Sequence, residues 1–229
     1  MNFFADIILP ISNMTALQLK KANVNMKKVF PVQCGIDYAE IARIASQSNT
    51  KKYDAVFMKR VQAVKGVFDL ITIWKKVTQY KKAAKLLIIG DIGDDGKKVV
   101  ELVKKYNLTK NIVFAGYVYD FKKKIKLLAQ SKLFILPSYE ENWAISVGEA
   151  MTVGLPVIAY NLEGLTSVWK NNAVWVPLGD TDGFAKKIIE SNIHPKMFIH
   201  ISKRAIQSVK KLDWENIANY ELQIIQKNR

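Results

Sequence analysis

Residues 131–160, SKLFILPSYEENWAISVGEAMTVGLPVIAY, constrain this chain most. A short apolar run, Leu133 to Leu136, is stopped by Pro137 and Ser138. A polar loop follows, Tyr139 to Trp143, carrying Glu140 and Glu141. A helical run from about Ala144 to Val153 is closed by Gly154 as a cap and Pro156 as a stop. A second apolar run, Val157 to Tyr160, leaves the turn. Strand, loop, helix and strand in so few residues make a parallel crossover unit. In such sheets ligands sit at the carboxyl ends of strands, where loops meet helix N-termini. Glu141 lies in that loop, and Glu149 lies eight residues later within the helix. The amides near Ala144 and Ile145 are that helix's free donors and form an anion site.

From Tyr53 onward the same alternation repeats. Strands are expected at Ala55–Met58, Leu86–Ile89, Ile112–Ala115 and Val174–Val176, with helices at Gly66–Gln79, to about Tyr106, and at Phe121–Ala129. Asp180 starts another helix, and the end from about Lys196 is helical. This is an α/β chain: a Rossmann-like parallel sheet covered by helices on both faces. Ahead of it, residues 5–33 read as strand (Ile7 to Leu9), helix (Thr15 to Ala22) and strand (Val29 to Val32), too short to bury both faces alone. Residues 38–52 are polar and loop-like. A boundary is placed there, dividing a connector, residues 1–50, from a ligand-binding domain, residues 51–229.

Lys plus Arg is 35 and Asp plus Glu is 20, a net charge of +15. The lysines come largely as pairs spread along the chain, which reads as solvated helix faces or as attraction to an anionic membrane surface. No helix-turn-helix, zinc-finger or ribonucleoprotein signature accompanies them, so no nucleic acid is expected. No apolar run approaches the roughly 20 residues that cross a bilayer. Residues 2–11 are apolar, but Asp6 interrupts them and no basic region precedes them, so they do not read as a signal peptide. The single cysteine, Cys34, excludes an intrachain disulfide and points to a reducing compartment. Cytoplasmic placement is expected, with association at the cytoplasmic membrane face left open.

The loop Lys59 to Gly66 follows the first strand and opens a helix. Arg60 offers a planar fork and Lys65 a point charge, both suited to a diphosphate, and Gly66 lets the backbone come close. Read alone, these are equally two more surface cations. Gly90-Asp91-Ile92-Gly93 is a partial glycine-rich turn. Asp180-Thr181-Asp182 matches a metal-diphosphate pattern but reads as a helix cap, as do Asp94 and Asp95. His194 and His200 have no partner spacing for a metal. No metal site and no cofactor are expected. An anion-holding helix end beside two carboxylates that accept hydroxyl hydrogen bonds is the equipment for a nucleotide-sugar.

Glu141, seven residues, then Glu149-Ala150-Met151, with Gly154-Leu155-Pro156-Val157-Ile158 following, resembles the retaining glycosyltransferases of the large group 1 family (family 4). Their GT-B architecture sets two Rossmann-like domains across a cleft. Arg60 to Gly66 looks like that family's Gly-Arg-x(4)-Lys-Gly loop. Leu87 to Asp91 looks like its Gly-x-Gly strand end, and Asn111 to Gly116 like its "N-V-x-F-x-G" strand. Pro137-Ser138 fits, and Trp214 sits where the family has a tryptophan before its last helix. The resemblance implies that Arg60 and Lys65 neutralise the donor diphosphate, that Glu141 sits by the sugar hydroxyls and that Glu149 accepts from the ribose. Gly116, Tyr117 and Val118 would line the base. Gly66, Gly90, Asn142, Trp143, Ala144 and Ile145 would complete the donor site. The acceptor would be a glycan or a lipid-linked saccharide.

The sequence departs from that pattern in places. Lys59 replaces the glycine before the arginine, Ala144 replaces the glycine of the Glu-x-x-Gly turn, and Thr166-Ser167-Val168 lacks the family's glutamate. Length departs most: only the last part of an acceptor-binding N-terminal half is expected, as residues 1–37. The chain would supply one half of a GT-B fold, either as a fragment of a longer chain or with its N-terminal half in a separate chain, and would be incomplete or inactive without that half. A nucleotide-sugar epimerase of the same architecture, or a non-catalytic membrane-docking or regulatory subunit, is the alternative.

Overall fold

The computed structural model describes residues 5–48 and 50–228. The opening run 2–11 and the polar run 46–50 therefore lie partly outside the described residues. Ten α-helices and six strands are described: α1 (Asn13–Lys21), α2 (Tyr38–Ala45), β1 (Ala55–Met58), α3 (Val67–Tyr80), β2 (Leu86–Ile89), α4 (Gly96–Lys105), β3 (Ile112–Gly116), α5 (Phe121–Ala129), β4 (Phe134–Leu136), α6 (Ile145–Thr152), β5 (Val157–Tyr160), α7 (Glu163–Trp169), β6 (Val174–Val176), α8 (Thr181–Ile193), α9 (Pro195–Val209) and α10 (Trp214–Lys227).

The strands form one sheet in the order β3-β2-β1-β4-β5-β6, and every pairing is parallel. The unbroken apolar runs AVFM, LLII, FIL and VIAY occupy the four inner strands, and each of their residues is buried. That is the signature of strands covered on both faces. The outer strands β3 and β6 keep partly exposed positions. Helix α3 packs between α4 and α8, while α2 packs on α5 and α6, and α6 on α9. The chain builds outward from β1 to β3, then returns to β4 beside β1. The strand order therefore reverses between β1 and β4, and a crevice opens beyond their carboxyl ends.

Three expectations change. The segments Ile7–Leu9 and Val29–Val32 do not form full strands. They meet in one parallel bridge, Ile8 to Val29, with Phe30 N donating to Ile8 O at 2.9 Å and Val32 N to Pro10 O at 2.8 Å. Pro10 and Pro31 remove two amides from that ladder and hold it to a few residues. Residues 38–45 are a helix, not a loop. Asp37 accepts from Glu40 N, and Ile41 and Ile44 are buried. Helix α7 was not expected, its seven residues being short for a readable period. Near the chain's other end, Ile36 N donates to Leu212 O at 2.7 Å, and Gly35 lies flat against the indole of Trp214.

Candidate functional site

Three strand-end loops converge on the crevice, and glycines let them touch. After β1, Val61 turns back into the core and its amide donates to Asp91 O at 2.8 Å. A 3-10 turn, Ala63–Lys65, leads to Gly66 at φ +70°, where a Cβ would run into the carbonyl of Pro137. Tyr139 N donates to Val64 O at 3.0 Å, so the loops after β1 and β4 are stitched together. After β2, Gly90 at φ +150° rests on the carbonyl of Lys59 and donates to Gly116 O at 2.9 Å. Asp95, expected as a cap, instead accepts from Ala63 N at 2.7 Å and anchors the same loop. Asp180 does cap its helix, accepting from Gly183 N at 2.8 Å.

A cleft of about 570 Å³ lies over the ends of β1 and β2. Lys59, Arg60, Gly90, Tyr117, Val118 and Lys124 line it. The rings of Tyr117 and Tyr119 touch at a tilt of 60° with centres 4.4 Å apart, and both stand exposed at its edge. Among the described residues Arg60 makes no ion pair.

Glu141 is almost enclosed, its side chain 6% exposed. Its Oε2 lies 2.9 Å from Lys59 Nζ and its Oε1 lies 3.2 Å from Lys65 Nζ. Ser138 Oγ donates to Oε1 at 3.2 Å, and Lys65 also donates to Glu140 O at 2.7 Å. Gly164, at the start of α7, presses on the Glu141 carbonyl from the far side. Glu149 is buried on α6, with Oε1 2.6 Å from Lys124 Nζ. Each carboxylate thus meets a lysine that also lines the cleft.

Helix α6 begins at Ile145, half exposed, behind Ala144 at φ +54°, ψ +75°. The alanine keeps the left-handed backbone that favours glycine, so the first α6 amides keep that turn's orientation. Ser146 Oγ, in the first turn, is buried without a partner. Asn142 is exposed and, with Glu140, Glu141 and Glu163, lines a separate hollow of about 220 Å³, so Glu141 faces that hollow while its ion-pair partner Lys59 lines the large cleft. Trp143, expected at the donor, is 2% exposed and packs edge-on to Trp169 in the core, away from the cleft. Behind the loop, Asp69 Oδ2 accepts from Tyr139 and Tyr160, each at 2.6 Å. That bond and burial push the Tyr139 hydroxyl up to about 12, and burial followed by the same carboxylate raises Tyr160.

Residues 39–208 match the family described as glycosyl transferases group 1. The chain belongs to that family. An uncharacterized glycosyltransferase of Methanocaldococcus jannaschii is 31% identical to this chain over 147 residues, 61% of this chain and 35% of the relative. The putative colanic acid biosynthesis glycosyltransferase WcaL of Escherichia coli is 24% identical over 226 residues, 95% of this chain and 55% of its own. The Anabaena protein HepE, solved in complex with UDP-glucose, superposes with a TM-score of 0.84 at 18% identity. It covers 99% of this chain and 65% of its own, and the likeness is one of fold. The chain therefore spans between 35% and 55% of the lengths of those two curated relatives.

Two residues of the site region, Lys124 and Gly164, were not singled out from the sequence. Lys124 is the third lysine of the run Lys122 to Lys124. Its only signal was its place on the first turn of α5, next to Phe121, whose ring its ammonium overlies at 4.8 Å. Neither histidine lines the cleft.

Proposed function

We propose that this chain supplies the donor-binding half of a retaining glycosyltransferase that uses a nucleoside-diphosphate sugar. The observation that carries this reading is that Lys59, Arg60 and Lys124 line one cleft at the strand-order reversal, and that Lys59 and Lys124 pair with Glu141 and Glu149 behind it. Arg60, Lys65 and the first amides of α6 hold the diphosphate. The leaving diphosphate gains charge as the sugar departs, so these groups bind the transition state more tightly than the ground state. Glu149 accepts from the ribose, Glu141 from the sugar hydroxyls, and the edge at Gly116, Tyr117 and Val118 takes the base. Residues 1–50 connect to an N-terminal half that brings the acceptor, a glycan or lipid-linked saccharide. The Campylobacter jejuni relative named as an N-acetylgalactosaminyltransferase on a diphospho-undecaprenol acceptor, 24% identical, supports the lipid-linked option. So does the +15 charge, which favours an anionic cytoplasmic membrane face.

No histidine near the Glu141 loop supports an epimerase. Among the described residues no helix is long and apolar enough to cross a membrane. Isothermal titration with UDP-, GDP- and ADP-sugars tests the proposal. Binding to one class is expected, and it is expected to vanish in Glu149→Ala and Arg60→Ala. No binding to any of them, or an epimerised sugar in the mixture, overturns it.

A further inference from the structure

Lys59 stands where the two halves of the ion network meet. Its Nζ is 2.9 Å from Glu141 Oε2, yet the residue also lines the large cleft beside Arg60. Its backbone is held from two sides: Gly90 abuts its carbonyl, and the Val61 amide two residues on is tied to Asp91 O at 2.8 Å. The side chain is therefore aimed by a fixed backbone, with 17% of its surface exposed.

Its place on the cleft wall separates it from Lys65. A carboxylate has about four lone-pair sites. Glu141 accepts from Lys59 and from Ser138 and holds Lys65 as an ion pair at 3.2 Å, which leaves lone-pair capacity for a sugar hydroxyl. Lys65 spends one donor, on Glu140 O, and is not among the residues that line the cleft. Lys59 spends one, on Glu141. An ammonium has three donors, so Lys59 keeps two for the cleft.

We propose that Lys59 is a further donor-binding residue, which pins Glu141 and donates to the distal, sugar-bearing phosphate of the nucleoside diphosphate. The inference rests on the donor-site reading above. With Glu141 at the sugar hydroxyls, the nearest anion to Lys59 is the phosphate that carries the sugar. Together with Arg60 it gives that phosphate two cations of different geometry, a fork and a point. Lys59 thereby favours diphosphates over monophosphates.

The test is isothermal titration with UDP, GDP and ADP and with the matching monophosphates, on wild type, Lys59→Met and Lys59→Arg. For the diphosphate that binds wild type most tightly, Lys59→Met is expected to weaken binding about tenfold. The matching monophosphate is expected to stay within about twofold, and Lys59→Arg to recover most of the loss. A residue that merely supported the loop would weaken both ligands by the same factor, and that result, or no change in either, overturns the Lys59 assignment alone. Failure of wild type to bind any of the diphosphates overturns the donor-site reading with it.

Discussion

Gly66, at φ +70°, rests against the carbonyl of Pro137, and this contact joins the loop after β1 to the loop after β4. A Cβ would meet that carbonyl and would sit in a backbone region that costs an L-residue about 1–2 kcal/mol. Gly66→Ala is expected to lower the melting temperature by at least about 4 °C, since 1 kcal/mol is worth roughly 2–4 °C at this chain length. Nucleotide affinity should fall as well, because Arg60 and Lys65 lose their placement. Calorimetric melting and titration check both, and an unchanged melt would mean that the two loops are independent.

Ala144 is the opposite case, a side chain in a left-handed turn at φ +54°. Relief of that strain, less the added backbone entropy of glycine in the unfolded chain, leaves a net gain of roughly 0.5–1 kcal/mol. Ala144→Gly is therefore expected to melt higher, by about 1–4 °C. A lower melting temperature would show that the methyl packs usefully where it is 7% exposed.

The Asp69–Tyr139 bond has an alkaline signature. The raised hydroxyl of Tyr139 favours its protonated form in the fold, so the stability it contributes is intact below pH 10. It is lost as pH climbs toward about 12. In Asp69→Asn, Tyr139 returns toward its ordinary value, while burial still holds Tyr160 up. Absorbance at 295 nm and pH 11 should report about one more tyrosinate in the variant than in wild type. Superimposable titration curves would contradict the bond.

Asp54 gives the acid counterpart at the far end of the sheet. Burial works upward on its carboxyl, but bonds from Lys81 Nζ at 2.7 Å, Lys85 N at 3.0 Å and Lys132 Nζ at 3.1 Å outweigh it and hold the group below its ordinary 3.8. A depressed carboxyl stabilises above the unfolded value and loses that contribution as pH falls through the folded one. Asp54→Asn should cost about 1–3 kcal/mol at pH 7. The gap from wild type should start to close near pH 4 and be absent at lower pH, in urea melts along a pH series. A gap that stays constant with pH would remove the charge from the explanation.

Trp143 and Trp169 are both buried, but only Trp169 has a bonded indole: its Nε1 donates to Trp143 O at 2.9 Å, whereas Trp143 Nε1 has no partner. Removing an orphaned donor costs less than removing a bonded one. Trp169→Phe should therefore be the more destabilising variant by about 1–3 kcal/mol, and Trp143→Phe should leave nucleotide affinity unchanged. Equal melts would show that the bond contributes nothing.

Strands β1, β2, β5 and β6 and helix α5 were legible to the residue, because unbroken apolar runs bounded by glycine, proline or charge are local signals. Helix α2 was not, because its eight residues run straight into the polar segment 46–50, and the helical spacing of Ile41 and Ile44 was read together with that segment as loop. At the site, spacing around strand ends singled out Arg60, Lys65, Glu141 and Glu149; Arg60 lines the cleft, and Glu141 and Glu149 are paired with lysines that line it. Trp143 was misplaced, since its loop position says nothing of which way the indole turns.

Sequence alone determined that strands alternate with helices, that they pair in parallel, and that cations and carboxylates cluster at the strand ends, for these follow from runs and turns a few residues long. Only the tertiary structure decided which charges meet. Lys59 and Glu141 are 82 residues apart, and Lys124 and Glu149 are 25 apart on different helices. Their pairing depends on sheet order and on glycines that let backbones touch, and no local period carries that information.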